Sequence, residues 1–184
     1  MQQKIILRKK YFTLRKKKYY EVNKDFFLPF LKLIKIKFKK QKTLKIALYY
    51  PSNFELNDIK LMEFNIISSQ DTLLPVIEKN NIMNFFSWKK KDVLFVNEFG
   101  ILEPVKIQAK VPDVMLVPLL AFDKNKYRLG YGKGFYDRYL FQYLNHFKNI
   151  LTVGVAFSFQ RHHKLPINQN DVKLDYILTE KGIY

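Results

Sequence analysis

Apolar residues recur at Leu7, Tyr11 and Leu14 across residues 3–20, a three-and-four spacing that predicts an amphipathic helix. Phe26, Phe27, Phe30, Leu31, Ile34 and Phe38 repeat the pattern among lysines and predict a second helix over 25–39. From residue 45 onward the pattern changes to short unbroken apolar runs. Residues 45–50, 71–76, 83–88, 111–118, 151–157 and 175–179 read as strands, several of them buried on both faces. Between these runs, residues 56–67 are expected to form a returning helix. Residues 136–147, apolar at 136, 139, 140, 143, 144 and 147, predict another. Residues 98–104 read as a loop in which Glu103, preceding Pro104, is extended; no chemistry is assigned to Glu103. The alternation of strands and helices predicts an α/β fold, a mostly parallel sheet flanked by helices.

Three of the six glycines fall at alternate positions in R-L-G-Y-G-K-G-F-Y-D-R, residues 128–138, between a buried strand and a helix. Glycines there let the backbone take positive φ and approach a ligand closely, while the N–H groups and dipole of the following helix favour anions. Arg128 and Lys133 are candidates for phosphate oxygens, and Asp137, in the first helical turn, for Mg²⁺. The spacing is neither the Walker A pattern nor the dinucleotide G-x-G-x-x-G. A plain glycine turn, with Asp137 compensating the helix dipole, is the competing reading.

The 184 residues fit one domain with a sizeable core. With no cysteine, neither a disulfide frame, a thiolate metal site nor a cysteine nucleophile is available. No apolar run approaches the ~18 residues of a membrane span, and the first residues lack the apolar centre of a signal peptide, so a soluble, cytoplasmic protein is expected. The formal charge of +17 is concentrated. Residues 1–45 hold 16 Lys and Arg against Glu21 and Asp25, a net of +14; the remainder nets +3. Solvated helix faces, recruitment of a polyanionic ligand and an RNA-binding arm all fit that excess. Lys4, Arg8 and Arg15, at i, i+4 and i+11, lie on one side of the first helix, where they can converge on a ligand or simply be surface cations. Adjacent His162 and His163 point apart and do not make a zinc pair. Glu55, just past the strand at 45–50, stands where α/β sheets gather ligands and can accept hydrogen bonds from an N–H-rich edge, or favour a helix N-terminus.

The segments P-L-L-A-F-D (118–123) and R-L-G-Y-G-K-G-F-Y-D-R-Y-L (128–140) resemble the signature of the 5-formyltetrahydrofolate cyclo-ligases, the 5,10-methenyltetrahydrofolate synthetases. The likeness continues through the K-x-x-x-R helix at 4–15, the strand end at 49–55, G-I-L-E-P at 100–104, and 171–180. It implies a three-layer fold similar to the ribose-isomerase and coenzyme A transferase group, with 1–42 a basic helical segment packed on one domain of 1–184. It implies ATP- and Mg²⁺-dependent conversion of 5-formyltetrahydrofolate to 5,10-methenyltetrahydrofolate, with ADP and phosphate released.

By that resemblance Lys4, Arg8, Arg128, Gly130, Tyr131, Gly132, Lys133, Gly134, Phe135 and Tyr136 bind ATP. Tyr50, Glu55, Tyr131, Gly132, Lys133, Gly134 and Phe135 bind folate. Lys133 and Arg128 act in catalysis, and Asp137 and Asp171 hold Mg²⁺; Asp175 is left out. Lys126 departs from the family, which often has glycine there. The partners implied are small molecules, with no membrane and no nucleic acid, and a monomer is expected. A basic RNA-associated protein, or a family member that binds without turnover, is the alternative.

Overall fold

The computed structural model describes residues 2–67, 69–146 and 150–184. Five parallel strands form the centre of a seven-stranded sheet: β1 (Lys45–Ala47), β2 (Asp71–Ile77), β6 (Val114–Pro118), β9 (Leu151–Val155) and β10 (Tyr176–Thr179). Antiparallel strands β3 (Met83–Ser87) and β11 (Gly182–Ile183) close its edges, giving the order β11-β10-β9-β6-β1-β2-β3. Ile46 sits between Thr72 and Val114 in the parallel register.

Successive residues of a strand face opposite sides, and here each side has its own core. Ile46, Leu48, Val114 and Leu116 pack with Phe27, Phe30 and Ile34 beneath helix α2 (Leu28–Lys37). Ala47, Met115 and Val117 pack on the other face with Tyr139 and Leu140 of helix α4 (Phe135–His146). The unbroken apolar runs of the sequence are thus strands covered on both faces, in three layers. The last apolar position predicted for α4, Phe147, lies outside the described residues.

Helix α1 (Gln2–Lys18) packs elsewhere: Leu7 and Tyr11 join Leu120, Ala121, Leu129 and Leu165 above the carboxyl end of β6. There β7 (Ala121–Phe122) and β8 (Arg128–Leu129) form a short hairpin. α1 therefore lies beside the glycine loop that follows β8.

Three expectations are corrected. The helix over 56–67 is one turn, α3 (Lys60–Glu63), because Asn65 takes φ +54 and Ile66 N–H bonds back to Leu61 O at 2.9 Å, a helix-ending Schellman pattern. The helix over 25–39 is split: Asn23 caps a 3₁₀ turn at Lys24–Phe27, and Pro29, which has no N–H to donate, sits in the first turn of α2. Of residues 98–104, 98–101 are the loop of a hairpin that turns at Gly100 with φ +73, but 102–104 are its second strand: β4 (Leu94–Val96) pairs with β5 (Leu102–Pro104). Glu103 is extended, as Pro104 requires, and its buried Oε1 accepts from Ile77 N and Asn97 Nδ2, both at 2.7 Å.

Candidate functional site

The chain runs from β1 to β2 on one side and later places β6 on the other side of β1. Such a reversal opens a crevice at the carboxyl ends of the two strands. The segment after β1 carries Glu55; the segment after β6 leads through the hairpin to residues 130–134 and α4. The two candidate regions of the sequence therefore meet.

Gly132 and Gly134 adopt φ +102 and +72, which strain any side-chain-bearing residue. Gly132 has a second reason to lack a side chain, since a Cβ there would lie 3.0 Å from Arg8 Cζ. Arg8 Nε donates to Gly130 O at 2.9 Å, so its guanidinium lies flat over the loop. Lys133 is exposed at the outer edge, its ammonium 5.4 Å from the Phe99 ring centre, and Phe99 in turn meets Phe135 at 5.7 Å. Three positively charged or anion-favouring features, Arg8, Lys133 and the amino end of α4, surround one stretch of backbone.

Beneath the loop, Arg128 is buried. Its Nη2 donates to Asp137 Oδ1 at 2.7 Å and its Nη1 to Val172 O at 3.2 Å; Val172 N also donates to Asp137 Oδ1 at 3.2 Å. Burial pulls the guanidinium below its ordinary value, opposed by the charges of Asp137, Tyr136 and Asp171. Asp171 Oδ2 accepts from Lys4 Nζ at 2.5 Å and Asn168 N at 2.7 Å, tying the start of α1 to the same segment. Asp175, by contrast, binds Thr152 N and Oγ1 at 2.8 Å and belongs to the sheet.

Asp137 and Asp171 each use one oxygen in these contacts, and hard carboxylate oxygens beside a phosphate cradle suit Mg²⁺, which takes one or two carboxylates and completes its shell with phosphates and water. Among the described residues no group of three or more Asp, Glu or His gathers, so an ion here would rely on phosphate ligands.

On the β1 side, Glu55 is buried, its Oε2 accepting from Ser52 N at 2.9 Å and Ser52 Oγ at 3.3 Å. Burial pushes its carboxyl up; the Ser52 hydrogen bonds, the Arg15 charge and Tyr131 oppose the shift. Arg15 Nη2 contacts the Tyr131 hydroxyl and donates to Asn53 O at 2.7 Å, while Nη1 donates to Leu119 O at 3.1 Å. Tyr50 is half-buried against the core on the α2 side. Asp58, fully buried, accepts from Tyr49 N at 3.1 Å, but its Oδ1, like the Tyr136 hydroxyl and Arg15 Nε, has no hydrogen-bond partner among the described residues. Burial raises Asp58 well above the usual carboxylate range, and the Glu55 charge adds to the rise.

Arg15 is not a surface cation beside Lys4 and Arg8: it is 1% exposed. It stands eight residues after Leu7 and four after Tyr11, on the buried stripe, and that spacing is the signal for it. Asp58 gave no signal beyond its proximity to Glu55. Lys126 takes φ +66, a conformation glycine would adopt freely, with its ammonium 5.5 Å from the Tyr176 ring centre. His162 is paired through Nδ1 with the Tyr11 hydroxyl at 3.0 Å.

The class these features define is a three-layer α/β protein with a glycine-rich loop at a topological switch point. Residues 2–180 match the 5-formyltetrahydrofolate cyclo-ligase family, and the chain belongs to it. It is 34% identical over 141 residues to the 5-formyltetrahydrofolate cyclo-ligase of Haemophilus influenzae, covering 73% of this chain and 74% of the relative. It is 32% identical over 146 residues to that of Escherichia coli K12, covering 76% and 79%. The solved 5,10-methenyltetrahydrofolate synthetase of Aquifex aeolicus superposes with a TM-score of 0.74 at 34% identity, covering 98% of this chain and 91% of that one. The synthetase of Mycoplasma pneumoniae gives 0.66 at 27% identity, covering 95% and 97%.

Proposed function

We propose that this protein closes 5-formyltetrahydrofolate to 5,10-methenyltetrahydrofolate at the expense of ATP. The observation that carries the reading is the meeting of two unlike subsites at one crevice. The Arg8-covered glycine loop suits a polyphosphate, and buried Glu55, with Tyr50 close by, suits the hydrogen-bond donors of a pterin edge.

A formyl oxygen is a poor leaving group, so activation by phosphoryl transfer is the chemistry required. The formyl oxygen attacks the γ-phosphorus, the bond to ADP breaks, and an iminium phosphate forms. N10 then attacks the formyl carbon, loses its proton, and the carbon–oxygen bond breaks to release phosphate, leaving the amidinium of the methenyl product. Positioning and charge neutralisation do most of this work. Arg8, Lys4 and the N–H groups of 130–136 hold the phosphates, Lys133 meets charge that develops on the transferred group, and Arg128 holds Asp137 in place. Asp137 and Asp171 would hold Mg²⁺, which supplies neutralisation of phosphate charge when bound. Tyr131, Gly132, Lys133, Gly134 and Phe135 border both subsites and bring formyl oxygen and phosphate together.

Among the described residues no helix is long and apolar enough to cross a membrane; the reading is of a cytoplasmic, monomeric, single-domain enzyme acting on small molecules. Mixing the purified protein with 5-formyltetrahydrofolate and MgATP tests it. Methenyltetrahydrofolate absorbance, dependent on both ATP and Mg²⁺, is the expected result; no absorbance from a folded protein overturns it.

A further inference from the structure

Residues 26–54 contain seven lysines and neither aspartate nor glutamate. One of the seven, Lys45, has a counter-ion in Asp113. Lys32, Lys35, Lys37, Lys39, Lys40 and Lys42 form no ion pair among the described residues. Lys37 turns instead over the Tyr176 ring, 5.8 Å from its centre. The other five are exposed and uncompensated.

Helix α2 sets what stands between them. Phe30 and Ile34 enter the core beneath it, so its outer side is a row at four-residue spacing, Leu28, Lys32 and Ile36, with Lys35 alongside. Leu28 is 41% and Ile36 64% exposed. Lys39, Lys40 and Lys42 carry the charge on past the helix end. The helix dipole accounts for lysines in the last turn, and an exposed aliphatic residue standing alone needs no explanation. Two large aliphatic side chains in line with a lysine, on a face without a carboxylate, make a different pattern. It is the pattern of a helix lying in a membrane interface, with ammonium groups among the headgroups and aliphatic side chains sunk between them.

We propose that the outer face of α2 docks this protein on an anionic lipid bilayer. Lys32, Lys35 and the lysines of 39–42 meet headgroup phosphates, while Leu28 and Ile36 enter the interface between them. The lysines supply an attraction that salt screens; the aliphatic pair supplies a part that salt does not remove. RNA, the other polyanion, fits this face less well. Residues 28–42 include no arginine, and their two aromatic rings, Phe30 and Phe38, pack in or against the core, so neither a guanidinium fork nor a stacking platform is offered. α2 covers one face of the sheet, whereas α4 and the glycine loop that leads into it belong to the other. Docking through α2 therefore leaves the crevice open to solutes, and the surface serves location rather than catalysis.

The test is co-sedimentation of the full chain with vesicles of phosphatidylcholine alone and of equal parts phosphatidylcholine and phosphatidylglycerol. Wild-type protein should sediment with the anionic vesicles and not with the neutral ones. Lys32→Gln/Lys35→Gln should weaken that partition roughly tenfold or more. Ile36→Asn leaves the charge unchanged and should weaken it roughly three- to tenfold, with melting temperature and MgATP turnover as in the wild type. Lys90→Gln/Lys91→Gln removes the same two charges from the exposed turn after β3, at the opposite edge of the sheet from β11, against which α2 packs. It should change partition by less than about twofold. Equal losses in the two lysine pairs overturn the proposal in favour of diffuse attraction by the net charge. Ile36→Asn that binds like the wild type overturns it, as does wild-type protein that leaves anionic vesicles in the supernatant unaccompanied. Polyuridylic acid is offered in parallel: binding tighter than to the vesicles and indifferent to Ile36→Asn makes the face a nucleic-acid surface and overturns the lipid assignment.

Discussion

The guanidinium of Arg8 occupies the space into which a side chain at Gly132 would project, 3.0 Å from the position of its Cβ. A helix residue 124 positions away in sequence is thus fitted to the loop through the one atom that glycine lacks. Gly132→Ala meets two obstacles, the displaced arginine and φ +102, and should destabilise the fold by about 1–3 kcal/mol while raising the KM for ATP. Arg8→Ala should raise that KM at nearly unchanged stability. Because both act on one contact, the double variant should lose less than the sum of the two. Additive losses in ATP kinetics would separate Arg8 from the loop.

Arg15 invites the opposite result. Its guanidinium is buried and joins Leu119 O, Asn53 O and the Tyr131 hydroxyl. Arg15→Ala leaves these groups and buried Glu55 without their cation, and should cost roughly 2–4 kcal/mol in urea unfolding. Arg15→Met, keeping volume without charge, should recover part of the packing but not folate affinity. A variant as stable as wild type would show that the network is not maintained in solution.

The contrast between Arg8 and Arg15 also marks where the sequence is legible. The five parallel strands are readable because both faces of a parallel sheet are covered, so burial is written as unbroken apolar sequence. The tight turn of the glycine loop is readable because positive φ at Gly132 and Gly134 demands glycine. The 56–67 helix was misread because apolar Leu56, Ile59 and Leu61 are buried by a turn rather than a helix face, and the stop at Asn65 depends on its left-handed backbone. The hairpin at 94–104 escaped because its strands are three residues long and its outer side chains, Phe95 and Val96, are exposed. The left-handed backbone of Phe54, at φ +62, left no signal at all, since residue type there argues against the conformation adopted.

Asp137 is held by Arg128 and Val172 N through Oδ1. Asp137→Asn keeps an acceptor but removes the charge, so it should loosen Arg128 by about 1–3 kcal/mol and raise the Mg²⁺ concentration needed for half-maximal turnover. Arg128→Lys should cost similar stability, since one ammonium cannot fork between Asp137 and Val172 O, with a smaller change in Mg²⁺ requirement. Magnesium titrations read at matched folded fraction separate the two. Identical Mg²⁺ curves for wild type and Asp137→Asn would reduce Asp137 to a structural partner of Arg128.

Glu55 and Asp58 make the fold pH-dependent in a direction opposite to ordinary acid denaturation. Both carboxyls are raised by burial from unfolded-state values of 4.5 and 3.8. Between those values and their folded ones the native state holds protons that the unfolded chain has released, so their contribution to stability falls as pH rises. It is fully present below about pH 4 and is lost progressively upward through the folded pKa of each group. Asp58→Asn removes one of the two titrations while leaving an oxygen for Tyr49 N–H. Comparing the variant with the wild type cancels what the remaining carboxylates contribute. The variant should gain on the wild type as pH is raised from 4 to 8, and at pH 7 should be more stable by on the order of 1–2 kcal/mol. Urea midpoints measured across that range decide the matter. Parallel curves for the two proteins would mean that Asp58 titrates in the native state as it does in the unfolded chain, and that water reaches its free Oδ1 in solution.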